Sequence, residues 1–506
     1  MAARKRVSSP VSLSSPVGGW NARDSLTSMA VNDAVVMVNW FPLTTEVMLR
    51  KGYTQSATGL PGQVESLFNY SGGSTRQLFA VADGEIYNVT AGGAVGAPEV
   101  TGLSNSRWNY TNISTPGGNF IMTANGIDDP YLYDGTTWTN PVITGVTDPK
   151  LLKSPILFKN RIFFVESGTL KTWYLPVNSI AGAAASVDLS SICKKGGFVV
   201  AHDSWTLDAG EGVDDYYVMV TSRGEVVIYL GTDPSNASTW ALKGVWSLGE
   251  PVGDRCFYKI AGDILYISQD GLIPLAASLQ SSRVNPRVAI TDKIQFAVSE
   301  SVSAYGLNYG WQTIYYPAEN MLILNVPIQE NNTQEQYVMN TISRSWCRFT
   351  GWEANCWEIF NERVYFGGDG YVALAWDGFV DDISNIQGMC IQAFSSYGNP
   401  GLLKRWTLSK PIFRANGIPA VLQSISIDFN LTENNAPLSF TPTQQATWDN
   451  ALWDVAVWGG GYNIIQNFQG LVGIGYYGAP QIKVESQGID VRWVSTDLVY
   501  EVGEIL

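Results

Sequence analysis

One histidine, His202, occurs in 506 residues, and that scarcity removes most imidazole chemistry. A metal site with two histidine ligands is excluded, and so is nearly every Ser-His or Cys-His dyad not built on this residue. Its neighbours Ala201 and Asp203 form no motif, so His202 reads as a structural or surface residue. Cysteine is also sparse. Cys193, Cys256, Cys347, Cys356 and Cys390 are odd in number and lack metal-ligand spacing, so they read as reduced core residues, with only Cys347 and Cys356 open to pairing. No apolar run approaches the roughly 18 residues of a membrane span. Arg4-Lys5-Arg6 leads into the Ser/Pro-rich stretch Ser8 to Pro16 and not into an apolar signal core, so export by a standard signal is not expected. A P-loop is missing, and Gly459-Gly460-Gly461 does not open a helix, which argues against an NTPase. The 31 Lys and Arg stand against 45 Asp and Glu, a net charge of −14, which disfavours a broad basic surface for nucleic acid. A negative wall suits a conduit along which DNA slides without sticking; solubility accounts for the same charge.

What the chain has in quantity is glycine, 50 residues of it, and tryptophan, 18. Six short apolar runs break at an X-Gly pair and resume: Asp83-Gly84, Asn125-Gly126, Ser167-Gly168, Arg223-Gly224, Asp270-Gly271 and Asp369-Gly370. The glycines lie 42, 42, 56, 47 and 99 residues apart. A period of roughly forty to fifty with one tight hairpin per period marks a β-propeller, because one small sheet cannot bury both faces and must stack on copies of itself. The flanking runs, such as Leu78 to Val81 and Ile86 to Val89, are β-branched or aromatic and too short for helices. The double gap predicts a seventh unit, which Met321 to Val326 and Tyr337 to Met339 fill, joined by a polar loop from Gln329 to Gln336. A second turn leads to a Trp in several units, at Trp138, Trp240 and Trp346, expected to start the third strand of a blade. Six N-X-Ser/Thr triplets, from Asn88 to Asn430, are attributed to chance in a chain rich in Asn and Thr.

Paired carboxylates are the remaining catalytic option, because glycoside hydrolysis needs only two. The candidates Asp128-Asp129, Asp214-Asp215 and Asp381-Asp382 all sit beside turns or strand ends, where carboxylates cap backbone N–H groups. Tyr133-Asp134-Gly135-Thr136-Thr137-Trp138 echoes a sialidase-type Asp box, but its Asp and Gly are adjacent where the box separates them.

The ends carry a resemblance. Gly18-Gly19-Trp20-Asn21-Ala22-Arg23-Asp24 leads through Asp33-Ala34 to Asn39-Trp40-Phe41-Pro42 and then Arg50-Lys51-Gly52. This opening, and Gln487 to Gly503 at the far end, is similar to short-tailed bacteriophage (podovirus) virion proteins: the propeller-bearing tail hub or nozzle and the packaged-DNA stabilisation proteins. The middle resembles them only as a propeller. Trp448-Asp449, Trp453-Asp454 and Trp458, spaced by five, also resemble that family. The resemblance implies a non-enzymatic virion part without cofactor or metal, made in the host cytoplasm. It implies a homo-oligomeric ring, hexameric by analogy, below a portal or adaptor ring. That ring would guide or close the path of packaged DNA until ejection and carry tail fibres or spikes outside. Candidate partner contacts are Arg4, Lys5, Arg6, Trp20, Arg23, Asp24, Trp448, Trp453 and Trp458.

The expected organisation is all-β: an N-terminal arm with strands over 1–60, a propeller of about seven blades over 61–385, and a C-terminal β-domain over 386–506. Met389 to Phe394, Trp406 to Phe413 and Val421 to Phe429 are longer strand candidates there, expected to form a sandwich into which the arm pairs. Two other readings stay open. One is a carbohydrate-binding or glycoside-cleaving propeller, which needs carboxylates converging on a central pocket; the other is a receptor-binding tip with exposed aromatic loops.

Overall fold

The computed structural model describes residues 8–208, 213–260, 262–279, 288–434, 436–440 and 461–503. Arg4, Lys5, Arg6, Trp448, Trp453 and Trp458 lie outside the described residues.

Seven small antiparallel sheets follow one another along the chain; four of the X-Gly pairs lie between the second and third strands of their sheets, Asp270-Gly271 runs into the third strand, and Asp369-Gly370 opens it. Blade one pairs 64–72 with Thr75–Ala82 and Glu85–Asn88. Blade two runs Asn109–Thr115, Gly118–Ala124, Tyr131–Tyr133 and Trp138–Thr139; blade three runs Leu152–Phe158, Arg161–Glu166, Lys171–Tyr174 and Ala185–Asp188. Blade four runs Val199–Asp208, Val213–Thr221, Glu225–Gly231 and Trp240–Ser247. Blade five has three strands, Phe257–Ile260, Asp263–Ser268 and Gly271–Pro274, and precedes the helix Gln295–Tyr305. Blade six, Gln312–Tyr316, Met321–Gln329, Thr333–Asn340 and Ser345–Thr350, is the unit inferred from the double gap.

Blade seven closes the ring with a strand from the other end of the chain. Cys356–Phe360, Arg363–Gly367 and Asp369–Ala375 pair outward in turn, and Asp369–Ala375 then pairs with the first part of Tyr53–Gly72, Ala375 opposite Tyr53 and Tyr371 opposite Thr58. The same strand continues into blade one. Gly59 and Gly62, at φ +84° and +97° around Pro61, take the left-handed conformations that bend it between the two sheets. The boundary expected after residue 60 therefore falls inside one strand, because ring closure uses a segment from before the first hairpin.

Two expectations are corrected. Trp138, Trp240 and Trp346 lie in fourth strands, not third, because the turn before each of them joins strands three and four. Nor are all six turns alike. At Asp83-Gly84 both residues are left-handed, φ +49° and +71°, as a type I′ hairpin requires. Asn125-Gly126 opens a longer loop in which the Asn125 side chain accepts from the N–H groups of Ile127 and Asp128.

The C-terminal unit is a two-sheet sandwich, and the arm is part of it. One sheet has Lys404–Ala415 paired with Val491–Val502 on one side and with Asn463–Gln466 and Gln469–Gly475 on the other; Val491–Val502 also takes Ser8–Ser14 and Val47–Leu49. The second sheet orders Asp33–Val38, Ile386–Gln392, Gly478–Ser486 and Ala420–Ile427. Trp40, Phe413 and Trp493 stack between them, fully buried. Asp33–Val38 also bridges to blade six, Val38 opposite Arg348, so blade and sandwich share a continuous nine-stranded sheet.

Candidate functional site

The innermost strands of all seven blades, with the residues leading into them, line one cavity of about 210 Å³. Leu67, Tyr110, Ser154, His202, Tyr258, Gln312 and Glu358 contribute one residue from each blade in turn. The first strand of a blade borders the axis of the ring, so charged side chains from segments far apart in sequence meet here.

Arg255 is the hub. Its guanidinium donates to the Glu65 and Trp108 carbonyls at 3.1 and 3.2 Å, to Ser66 Oγ at 3.0 Å and to Gln312 Oε1 at 3.3 Å, and it lies over the Tyr309 ring at 5.2 Å. One side chain thereby ties blade five to blades one, two and six. Gln312 passes the link on, donating to the Trp357 carbonyl and accepting from the Trp357 N–H.

His202 holds blade four to blade three. Its Nε2 lies 2.6 Å from the Ser154 carbonyl, which can only accept, so Nε2 carries the proton and Nδ1 accepts from the Tyr217 hydroxyl at 2.6 Å. Ser154 has φ +50° in a bulge between Lys153 and Ile156, where the ladder is interrupted. Burial pushes His202 down to about 4, with nearby Lys153 and Lys259 in the same direction, so the ring is neutral at physiological pH. The structure makes it a structural residue.

Three carboxylates reach the same cavity, and each has a partner. Asp203 pairs with Lys259 at 2.6 Å and Asp254 with Lys153 at 3.1 Å. Burial raises Asp203 above the usual carboxylate range, and Lys259 offsets part of that. Burial pushes Glu358 up to about 7, while the hydrogen-bonded Tyr110 hydroxyl, the Ile359 N–H and the Arg255 charge favour its ionised form. Glu358 is thus near half-protonated at neutral pH, able to donate or accept. Sequence reasoning missed Arg255, Tyr110 and Glu358; the one available signal was a lone carboxylate within the apolar strand Cys356–Phe360.

The carboxylate pairs singled out in the sequence do not come together. Asp128 caps Ser104, accepting from its N–H at 2.9 Å, and Asp129 faces Lys150. Asp215 accepts from Thr206 and Lys159. Asp381 pairs with the buried Arg50. Asp134 of the Asp-box echo is held down to about 2 by the Thr136 hydroxyl and the N–H groups of Thr137 and Thr136, so it closes its own turn.

Of the expected partner contacts, Trp20 is a correction: it is buried at the edge of Tyr337 with Arg348 over its ring, in the core and not on a surface. Arg23 and Asp24 are partly exposed. Arg23 donates to Asp24 at 2.8 Å and to Asp292, which docks the arm on the segment before the helix Gln295–Tyr305. All five cysteines are free and buried, Cys347 and Cys356 included. Among the described residues no group of His, Cys, Asp and Glu could hold a metal ion, and no helix is long and apolar enough to cross a membrane.

The motif residues of the arm work together. Arg50, 1 % exposed, donates to Asp381 Oδ1 at 2.6 Å, to the Thr350 carbonyl at 2.7 Å, to the Lys51 carbonyl at 3.0 Å and to Asn39 Oδ1 at 3.0 Å, and lies over the Trp352 ring at 5.0 Å. Asn39, at φ +59°, donates to the Gln387 carbonyl. These bonds tie arm, blade six and the start of the sandwich at one point.

Neither a protein-family model nor a curated protein matches this chain. Solved structures do. BBS1N in complex with ARL6DN is 9 % identical, with a TM-score of 0.40 over 64 % of this chain and 97 % of that one. YCF48 bound to D1 peptide is 11 % identical, TM-score 0.33, over 66 % and 94 %. Raptor from Chaetomium thermophilum is 8 % identical, TM-score 0.38, over 65 % of this chain and 29 % of that one. The chain is an all-β protein, a seven-bladed propeller with a sandwich built from both of its ends.

Proposed function

We propose that this chain is a non-enzymatic structural subunit of a phage tail, a ring-forming hub or nozzle component. It would sit below a portal or adaptor, line or close the DNA path until ejection, and carry fibres or spikes outside. The observation that carries the reading is that the cations along the propeller axis are spent on neighbouring groups, which leaves Glu358 as the one axial carboxylate among the described residues without a cation bonded to it. Asp203 with Lys259, Asp254 with Lys153, and Arg255 with four carbonyl, hydroxyl and amide groups staple the blades together. A scaffold needs that rigidity, whereas two-carboxylate catalysis would need a second unspent acid or base beside Glu358, and Asp203 and Asp254 are each held by a lysine. The Asn39 and Arg50 motifs, among the residues on which the resemblance to tail proteins rests, lock the propeller to the sandwich. The axial cavity, about 210 Å³, holds a few waters and cannot pass a duplex, so in this reading DNA runs between subunits. Mass photometry of the purified chain, with and without portal and adaptor, tests the proposal together with mass spectrometry of purified particles. Rings, or a complex with those partners, support it. A chain that stays monomeric with them and is absent from particles overturns it.

One observation favours a second reading, carbohydrate binding: Asp203, Asp254 and Glu358 line a single cavity with the aromatic residues Tyr110, Phe257 and Tyr258. Glycan-array binding that is lost in Tyr258→Ala would support it; no binding at millimolar sugar would remove it.

A further inference from the structure

We propose that copies of this chain join edge to edge through the sandwich, the arm strand Ser8–Ser14 of one copy pairing with Gln469–Gly475 of the next. The proposal rests on the ring reading above and names the surfaces that would build the ring. Across one end of the sheet the order is Gln469–Gly475, Lys404–Ala415, Val491–Val502, Ser8–Ser14, every neighbour antiparallel. Among the described residues no strand pairs with the outer edge of either terminal strand.

The two edges match. Both strands have seven residues. Four alternating strands leave the two edges running in opposite directions, so a second copy in the same orientation presents its arm strand antiparallel to Gln469–Gly475. Side-chain alternation agrees as well. Leu13 and Leu471 turn into the same apolar core, while Ser12 and Val472 face outward. The N–H of Ser15 donates to the Val494 carbonyl, and peptide directions alternate, so Ser8, Pro10, Ser12 and Ser14 turn their peptide groups to the open edge. Pro10 withholds one donor, which blunts the edge against indiscriminate pairing while leaving the N–H groups of Ser8, Ser12 and Ser14.

The receiving edge carries what a free surface seldom keeps. Val472 is 96 % exposed and Ile474 61 %, and Phe468 and Ile464, farther along the same edge, are 56 % and 61 % exposed. A row of apolar side chains beside an unpaired strand edge marks a joining surface. Because the two edges differ, the contact is head-to-tail, the kind that closes into a ring when the rotation from copy to copy closes and runs on as a filament when it does not.

Full-length chain carrying Ser12→Cys and Val472→Cys tests this, because all five native cysteines are buried. A short bis-maleimide should convert the double variant into a ladder of covalent multimers, and leave each single variant as monomer. Val472→Asp combined with Ile474→Asp should abolish assembly without lowering the melting temperature, since both side chains are exposed in the monomer. Rings that form but give no ladder, and that survive the Asp pair, overturn this interface and leave the ring reading standing. A chain monomeric at every concentration, alone and with portal and adaptor, overturns this interface, and its absence from purified particles as well overturns the ring reading.

Discussion

Replacing Arg50 with Met should cost more than any surface substitution in this chain, and the structure says how much. The guanidinium is 1 % exposed and Asp381 is 8 % exposed, so removing the cation strands a carboxylate that water barely reaches. Breaking a buried pair at one end costs about 3–5 kcal/mol. The Thr350 carbonyl loses its donor too, which adds about 1 kcal/mol or more. The expected total is about 4–6 kcal/mol, comparable to the whole stability of many domains. Asp381→Leu alone strands the arginine and should cost a similar amount, while the double variant removes both charges and should recover about half of the summed losses. The assay is urea unfolding of the four proteins followed by tryptophan fluorescence, to which Trp352, under the guanidinium, reports locally. A single-variant loss below about 1 kcal/mol, the range of a solvated surface pair, would refute the reasoning. So would strictly additive losses in the double variant.

Glu358→Gln tests the axis through pH. The folded-state value is raised to about 7, so the folded protein holds a proton that the unfolded chain releases near 4.5. Stability therefore falls as pH rises through that window, by roughly 3 kcal/mol once ionisation is complete. The Gln variant should match the parent at pH 4 and melt higher at pH 8; equal melting shifts at both pH values would sink the assignment. Gly52→Ala should prevent folding or force the loop apart, because its Cβ would lie 1.7 Å from the Val380 carbonyl oxygen; a soluble variant with unchanged melting temperature would contradict this. Gly84→Ala and Gly168→Ala share the left-handed strain, φ +71° and +73°, which costs about 1–2 kcal/mol each. Only Gly84 also meets a backbone oxygen, Leu103 O at 2.4 Å, so thermal denaturation should rank Gly84→Ala clearly below Gly168→Ala.

The sequence by itself determined the repeat. Asp83-Gly84 and its five counterparts are local chemistry, turns between short β-branched and aromatic runs, and local chemistry is legible in order along the chain. The missing seventh glycine was legible as a gap, filled by Met321–Gln329 and Thr333–Asn340. Turns without glycine escaped notice: Lys159-Asn160 and Asn361-Glu362 have both residues left-handed, and nothing in composition marks Lys or Glu for that conformation. Tertiary structure alone decided the rest. Arg50 and Asp381 meet across 331 positions, and Tyr53 closes the ring against Ala375, because the far end of a circle of blades returns beside its start. The axial network of Arg255, His202 and Glu358 has no motif, since each comes from the innermost strand of a different blade or the turn leading into it, and only the ring's geometry brings them to one point.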